Sequence, residues 1–238
     1  MPKLLPLLLT FAFAVATLPL DARAATVDAK PRIAISLAGG AQFARAVQKH
    51  LLDTHRFDVV MQGDIGELLA ERHIKLDDSI SVQDSLRARA ATNVDMVLDG
   101  RAKDMSGNLR ITSRLFDLRT GEYSRDLALM GDDKDLDTLA GQLANFVRQS
   151  VPIRCLVRAV NDDQIVMDLG AMDGVTAGSV YRIYRDAHDV QPVYAGTIQV
   201  TSVQPFAAVG EQDDVVKGVT PQVGDALVEE TSGLLLNP

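Results

Sequence analysis

The periodicity of apolar residues changes near Pro152, and no other feature constrains the fold of this chain as much. Downstream of it, strand spacing and turn signals dominate, with no apolar stripe at helical spacing. Ile153 to Val160 alternate, Asn161-Asp162-Asp163 supplies a turn, and alternation resumes through Ile165, Met167 and Leu169. Asp173-Gly174 and Ala177-Gly178 then give two turn signals within a few residues. Val180 to Tyr184, Tyr194 to Val203 and Ala207 to Gly210 read as further strands. Short strands separated by turns predict a small all-β barrel or strongly curled sheet over 152–238.

Upstream, helical and strand spacing are interleaved. Arg32-Ile33-Ala34-Ile35-Ser36 predicts a short buried strand, and Gly39-Gly40 a turn. A helix should follow, because Phe43, Val47 and Leu51 fall four apart, with Ala44 and Leu52 widening the stripe. Phe57 to Met61 reads as a buried strand. Gly63-Asp64 would cap a second helix carrying Ile65, Leu68 and Leu69, and Ser81 a third with Val82, Leu86 and Ala90 on one face. Met96 to Leu98 is again a strand. Between Gly107 and Met130 a hairpin is expected: Leu109, Ile111, Ser113 and Leu115 alternate with Arg110, Thr112 and Arg114, the chain turns at Arg119-Thr120-Gly121, and it returns from Tyr123 to Met130. A last helix from about Asp133 to Val151 carries Leu136, Leu139, Ala140, Leu143, Phe146, Val147 and Val151. The expected class is α+β, with helices packed on a mixed sheet over 25–151 and the barrel-like unit after it.

The first 24 residues have the layout of a cleavable secretory signal: Lys3, an apolar stretch from Leu4 to Leu20, then Ala22 and Ala24 around Arg23. Cleavage is expected between Ala24 and Ala25, leaving no membrane span, since the apolar core is shorter than the ~20 residues a spanning helix needs. With no cysteine near this site, a lipoprotein anchor is not expected, and the mature chain should be periplasmic. Cleavage removes Lys3, Arg23 and Asp21, two cations and one anion, so the formal net charge moves from −8 to −9. Such a surface disfavours nucleic acid and anionic lipid and favours proteins, small ligands or cell-wall material as partners. Cys155 is the single cysteine, so no internal disulfide can form, and it reads as a small buried apolar residue rather than a reactive thiol.

Phe57-Asp58-Val59-Val60-Met61 leading into Asp64-Ile65-Gly66-Glu67-Leu68-Leu69-Ala70-Glu71, then Val94-Asp95-Met96-Val97-Leu98-Asp99-Gly100, then Arg114-Leu115-Phe116-Asp117-Leu118-Arg119-Thr120-Gly121-Glu122, form one ordered set. This set resembles the envelope domain shared by the curli secretion lipoprotein, the amino-terminal domain of the Tol translocation protein B and the middle domain of flagellar assembly protein T. The resemblance covers nearly all of Arg32 to Val151. The second half is similar to the carboxy-terminal domain of flagellar assembly protein T. It is carried by Val166-Met167-Asp168-Leu169-Gly170 with Asp173-Gly174-Val175, Gly178, Val180-Tyr181-Arg182-Ile183-Tyr184, Gly196-Thr197-Ile198-Gln199-Val200 and Val223-Gly224-Asp225. That family carries a further amino-terminal domain for which this sequence leaves no room. The resemblance implies a periplasmic two-domain envelope fold and protein partners, with ring building around a flagellar basal body as the named role and a homo-oligomer or ring as one assembly.

Motifs for chemistry are sparse. Asp133-Lys134-Asp135-Leu136-Asp137 imitates the start of a calcium loop, but Thr138 and Ala144 stand where glycine and glutamate are needed, so an acidic first helical turn is the expected reading. Gly39-Gly40 lacks the lysine or further glycines of a phosphate loop and reads as a helix entry. His50, His55, His73 and His188 lack the spacing that places two imidazoles on one helical face, so neither zinc nor any cofactor is expected. Asp77-Asp78 and Asp213-Asp214 lie in polar loops as solvated acids. Arg110, Thr112 and Arg114 form either a recognition face or a plain solvated strand face. Leu234-Leu235-Leu236 either docks a neighbour or is a disordered end.

The expected function is therefore non-enzymatic: a periplasmic accessory protein for assembly or stabilisation of an envelope machine. A binding protein or activator for cell-wall synthesis or secretion is the alternative. A periplasmic hydrolase whose acid pair comes from distant segments is a minor third.

Overall fold

Ile33, Ala34 and Ile35 are buried on both faces of β1 (Arg32–Ala38), as in a strand at the centre of a sheet. It lies between β2 (Asp58–Val60) and β3 (Met96–Asp104), parallel to both. β3 runs antiparallel to β4 (Asn108–Asp117), which pairs in turn with β5 (Glu122–Ser124) and β6 (Leu127–Asp132). This computed structural model describes residues 30–60, 65–77, 80–185, 192–231 and 235–236. The expected signal and its Ala24/Ala25 cleavage site, the Gly63-Asp64 cap, Met61, Asp78, His188 and Leu234 lie outside the described residues.

Helices cover both faces of the sheet. On one lie α1 (Ala41–Asp53) and α4 (Leu136–Ser150), whose Phe43, Val47, Leu51, Leu139, Leu143 and Val147 pack on Ile33, Ile35, Met96, Leu98, Ile111 and Leu115. On the other lie α2 (Ile65–Glu71) and α3 (Val82–Thr92), where Ile65, Leu69 and Ala88 meet Ala34, Val97 and Phe116. His50 Nε2 lies 3.1 Å from Asp137 Oδ1, tying α1 to α4. Gly39, at φ +80°, makes the helix entry expected of it. A Cβ there would stand 2.5 Å from the Ala102 carbonyl oxygen, so the turn is shaped to let α1 lie close on β3.

Three expectations need correction. The stripe on α3 is not Val82, Leu86 and Ala90: Val82 is 58% and Leu86 47% exposed, while Ser85, Ala88 and Thr92 are buried. Small residues win because the helix approaches the β4–β5 turn closely, with the Cβ position of Gly121 3.4 Å from Val82 Cα and from Ser85 Oγ. Leu52 likewise does not widen the α1 stripe, being 46% exposed. The return strand of the hairpin is not continuous from Tyr123 to Met130. The buried Ser124 hydroxyl accepts the Leu115 N–H at 2.9 Å and donates to the Arg125 carbonyl, replacing a ladder bond and letting the chain break between β5 and β6.

After α4 the chain forms a closed barrel of β7 (Arg154–Asn161), β8 (Gln164–Met167), β9 (Val180–Arg185), β10 (Val193–Val203), β11 (Ala208–Val215) and β12 (Ala226–Glu229), in the order β10-β11-β8-β7-β12-β9. Alternation points Cys155, Val157, Ile165, Met167, Tyr181, Ile183, Ile198, Val200 and Leu227 inward. β12 was not expected from the sequence, and it closes the barrel by pairing with both β7 and β9. Leu235–Leu236 form β13, antiparallel to β5, so this part of the tail neither docks a neighbour nor hangs free but returns to the first sheet.

Candidate docking site

The face of the first sheet that carries α2 and α3 is covered over only part of its length. Alternation puts Val97, Asp99, Arg101 and Lys103 of β3 on this face, and register sets Phe116, Arg114, Thr112 and Arg110 of β4 beside them in that order. Val97 and Phe116 are buried under the helices. Beyond them the rows open to solvent: Ser36, Asp99 and Arg114; then Ala38, Arg101, Thr112 and Ala128; then Lys103, Arg110 and Met130. Arg101, Lys103, Arg110, Thr112 and Ala128 are exposed, and Met130 is 72% exposed.

Arg110, Thr112 and Arg114 thus share one open face. Sequence reasoning missed that Arg101 and Lys103 join them, because nothing in a single sequence gives the register between β3 and β4. Arg114 is the anchored member. Its Nη2 lies 2.7 Å from Asp126 Oδ1, and its guanidinium carbon sits 5.1 Å from the centre of the Tyr123 ring. Asp99 accepts a hydrogen bond from Ser36, and burial pushes its carboxyl above the usual carboxylate range.

A buried ion pair fixes the barrel against this sheet. His55 adopts a left-handed backbone, φ 57°, at the end of α1 and turns the next residue inward. Arg56 there donates from Nη1 and Nη2 to the two carboxylate oxygens of Glu229 at the end of β12, both at 2.7 Å. The two residues are 5% and 8% exposed. Glu229 also accepts the Ile153 N–H at 3.2 Å, so three donors satisfy its carboxylate. Gly174, at φ +81°, leaves room for the arginine stem, since a Cβ there would fall 2.4 Å from Arg56 Cγ. Lys30 Nζ adds a hydrogen bond to the Met172 carbonyl across the same seam.

The remaining motifs serve the fold. In the Asp133 run, the Asp132 side chain accepts the Lys134 N–H at 2.9 Å and starts the first turn before α4. Cys155 faces the barrel interior, and burial raises its thiol well above the usual range, which disfavours a nucleophilic thiolate. An open cleft of about 640 Å³ is lined by Lys30, Arg32, Asp58, Leu86, Arg89, Ala90, Asn93 and Asp95. Its charges are engaged with one another: Arg89 lies 2.8 Å from Asp95, Asp95 accepts the Arg32 N–H at 2.9 Å, and Arg32 stands 3.4 Å from Asp58. Among the described residues no group of three or more His, Cys, Asp or Glu is placed to hold a metal ion, and no helix is long and apolar enough to cross a membrane.

No family model and no curated protein matches the sequence. Among solved structures, TolB from Acinetobacter baumannii is similar at 13% identity and a TM-score of 0.40, over 83% of this chain and 60% of that one. The C-terminal domain of LpoB from Escherichia coli is similar at 13% identity and a TM-score of 0.32, over 45% of this chain and 87% of that one. Lipoprotein GNA1162 from Neisseria meningitidis is similar at 12% identity and a TM-score of 0.33, over 50% of this chain and 99% of that one. The chain spans three-fifths of the length of the TolB structure.

Proposed function

We propose that this protein is a non-enzymatic periplasmic accessory protein of a cell-envelope machine, built of two units, 25–151 and 152–238. The observation that carries the reading is the open row of Arg101, Lys103, Arg110, Thr112 and Arg114 on a sheet whose opposite face is packed. In this reading the first unit docks a protein partner through that face and the barrel, held by Arg56 and Glu229, extends the contact surface. The export-signal layout of residues 1–24 supports the compartment. The sequence resemblance of both halves to flagellar assembly protein T supports the basal-body ring as the machine.

Deletion of the gene, with swimming and ring assembly scored and the full chain used as bait in envelope extracts, tests this. Impaired ring assembly with capture of basal-body proteins is the expected result. Normal swimming with capture of a cell-wall synthase or a secretion channel would reassign the machine. Turnover of an envelope metabolite by the purified protein, abolished by one acidic or histidine substitution, would overturn the non-enzymatic reading.

A further inference from the structure

The open face has a charge opposite to that of the molecule that carries it. The sequence holds 32 acidic residues against 24 basic ones. Yet the two outer rows, Ala38-Arg101-Thr112-Ala128 and Lys103-Arg110-Met130, contain three cations and no acid. The acids nearest in register are at the margins. Asp99 is half-buried beside Arg114 and bonded to Ser36, Asp126 is taken by Arg114, and Asp132 lies one row beyond Met130. Arg101, Lys103 and Arg110 are exposed, and none of them forms an ion pair among the described residues.

Three like charges at neighbouring positions of a sheet repel one another and destabilise it, and Lys103 stands directly opposite Arg110. Local folding does not ask for that arrangement, since one glutamate among the three would relieve it. The face also carries the residue types enriched where proteins meet: arginine, an exposed methionine, and a tyrosine stacked under Arg114.

We propose that this face, bounded by Arg101, Lys103, Arg110, Arg114, Thr112 and Met130, binds an acidic segment of a partner protein. The inference rests on the docking reading above and names the chemistry of the partner. Carboxylates of the segment pair with Arg101, Lys103 and Arg110, Thr112 contributes a hydroxyl between them, and Met130 gives an apolar edge. Protein carboxylates are favoured over phosphates because a net charge of −8 on the whole chain repels a polyanion that extends beyond the patch, whereas a short acidic segment touches the patch alone.

The test uses the full secreted chain and a fluorescein-labelled peptide of alternating glutamate and serine, with fluorescence anisotropy as the readout. Binding at low salt that weakens as salt is raised is expected. Affinity should fall roughly tenfold or more in the triple variant R101Q/K103Q/R110Q and persist in R101K/R110K. The three positions are exposed and their charges repel, so the circular dichroism of the triple variant should match the wild type and its melting temperature should be no lower. No binding to the wild type, or undiminished binding to the triple variant, would overturn the proposal. So would tighter binding to duplex DNA or to phosphatidylglycerol vesicles than to the peptide. Self-association that the triple variant abolishes would make a second copy the occupant and equally overturn it. An envelope partner crosslinked only to the barrel would sink this inference while leaving the accessory function standing.

Discussion

At the scale of single residues, the molecule depends most on charges removed from water. Arg56 and Glu229 are almost fully buried and joined by two 2.7 Å hydrogen bonds. Taking two charges out of water is costly, so the pair's net contribution is modest, whereas removing one partner strands the other. Glu229→Ala should therefore lower unfolding stability by about 3–5 kcal/mol, and Arg56→Leu with Glu229→Leu together should cost less than either change alone. Urea titration of Glu229→Ala, the two single leucine variants and their double variant checks this, and additive losses would show that the residues act separately. Asp99 is the opposite case. Its carboxyl is raised by burial, so the ionised form burdens the folded state at neutral pH. As pH falls through its folded value the group protonates first in the fold, and the burden is gone below the unfolded value. Asp99→Asn should thus be more stable than wild type at pH 7, with the difference vanishing in acid. A constant difference across that range would show that the carboxylate is not the cause.

At the scale of elements, α3 separates what a sequence shows from what packing decides. Ser81 caps it as expected, accepting the Asp84 N–H at 3.0 Å, yet its apolar stripe faces solvent and its small residues face the sheet. Leu86→Ser should change stability by less than about 0.5 kcal/mol, whereas Ala88→Leu, forcing bulk against Val97 and Phe116, should cost about 1–3 kcal/mol. Thermal melts of the two variants decide between the faces, and the reverse order would restore the stripe read from the sequence. The same contrast governs the rest of the chain. α1, α4, β1, β3 and the first barrel strands were legible because their burial follows a 3.6- or 2-residue period in Phe43-Val47-Leu51 or Ile165-Met167. β12 was not, since Ala226–Glu229 is too short to show a period and becomes a strand only because β7 and β9 both offer it an edge. For the docking face, Arg110, Thr112 and Arg114 were legible by alternation along one strand. Arg101 and Lys103 were not, because they join it through cross-strand register.

At the scale of the whole molecule, the apolar cores fall on either side of the sequence change near Pro152. Residues from Ile33 to Val151 pack on the two faces of the first sheet, and residues from Ile153 to Leu227 fill the barrel. No apolar cluster bridges them among the described residues. What joins them is polar: the Arg56–Glu229 pair and the Lys30 to Met172 hydrogen bond, with the two-residue β13–β5 pairing beside them. A seam of this kind couples the two cores only while both ends are folded, because loss of either exposes the partner charge and ends its desolvated pairing. The wild-type chain should accordingly unfold in one calorimetric transition, with equal calorimetric and van't Hoff enthalpies. In Arg56→Ala/Glu229→Ala the polar link is gone while both cores keep their apolar residues, so the transition should split in two, the barrel and the sheet melting independently. A single unsplit transition in that variant would place the coupling elsewhere, in the chain connection at Pro152 or in the β13 edge. Deleting residues 232–238 would then tell those two apart by whether the split appears.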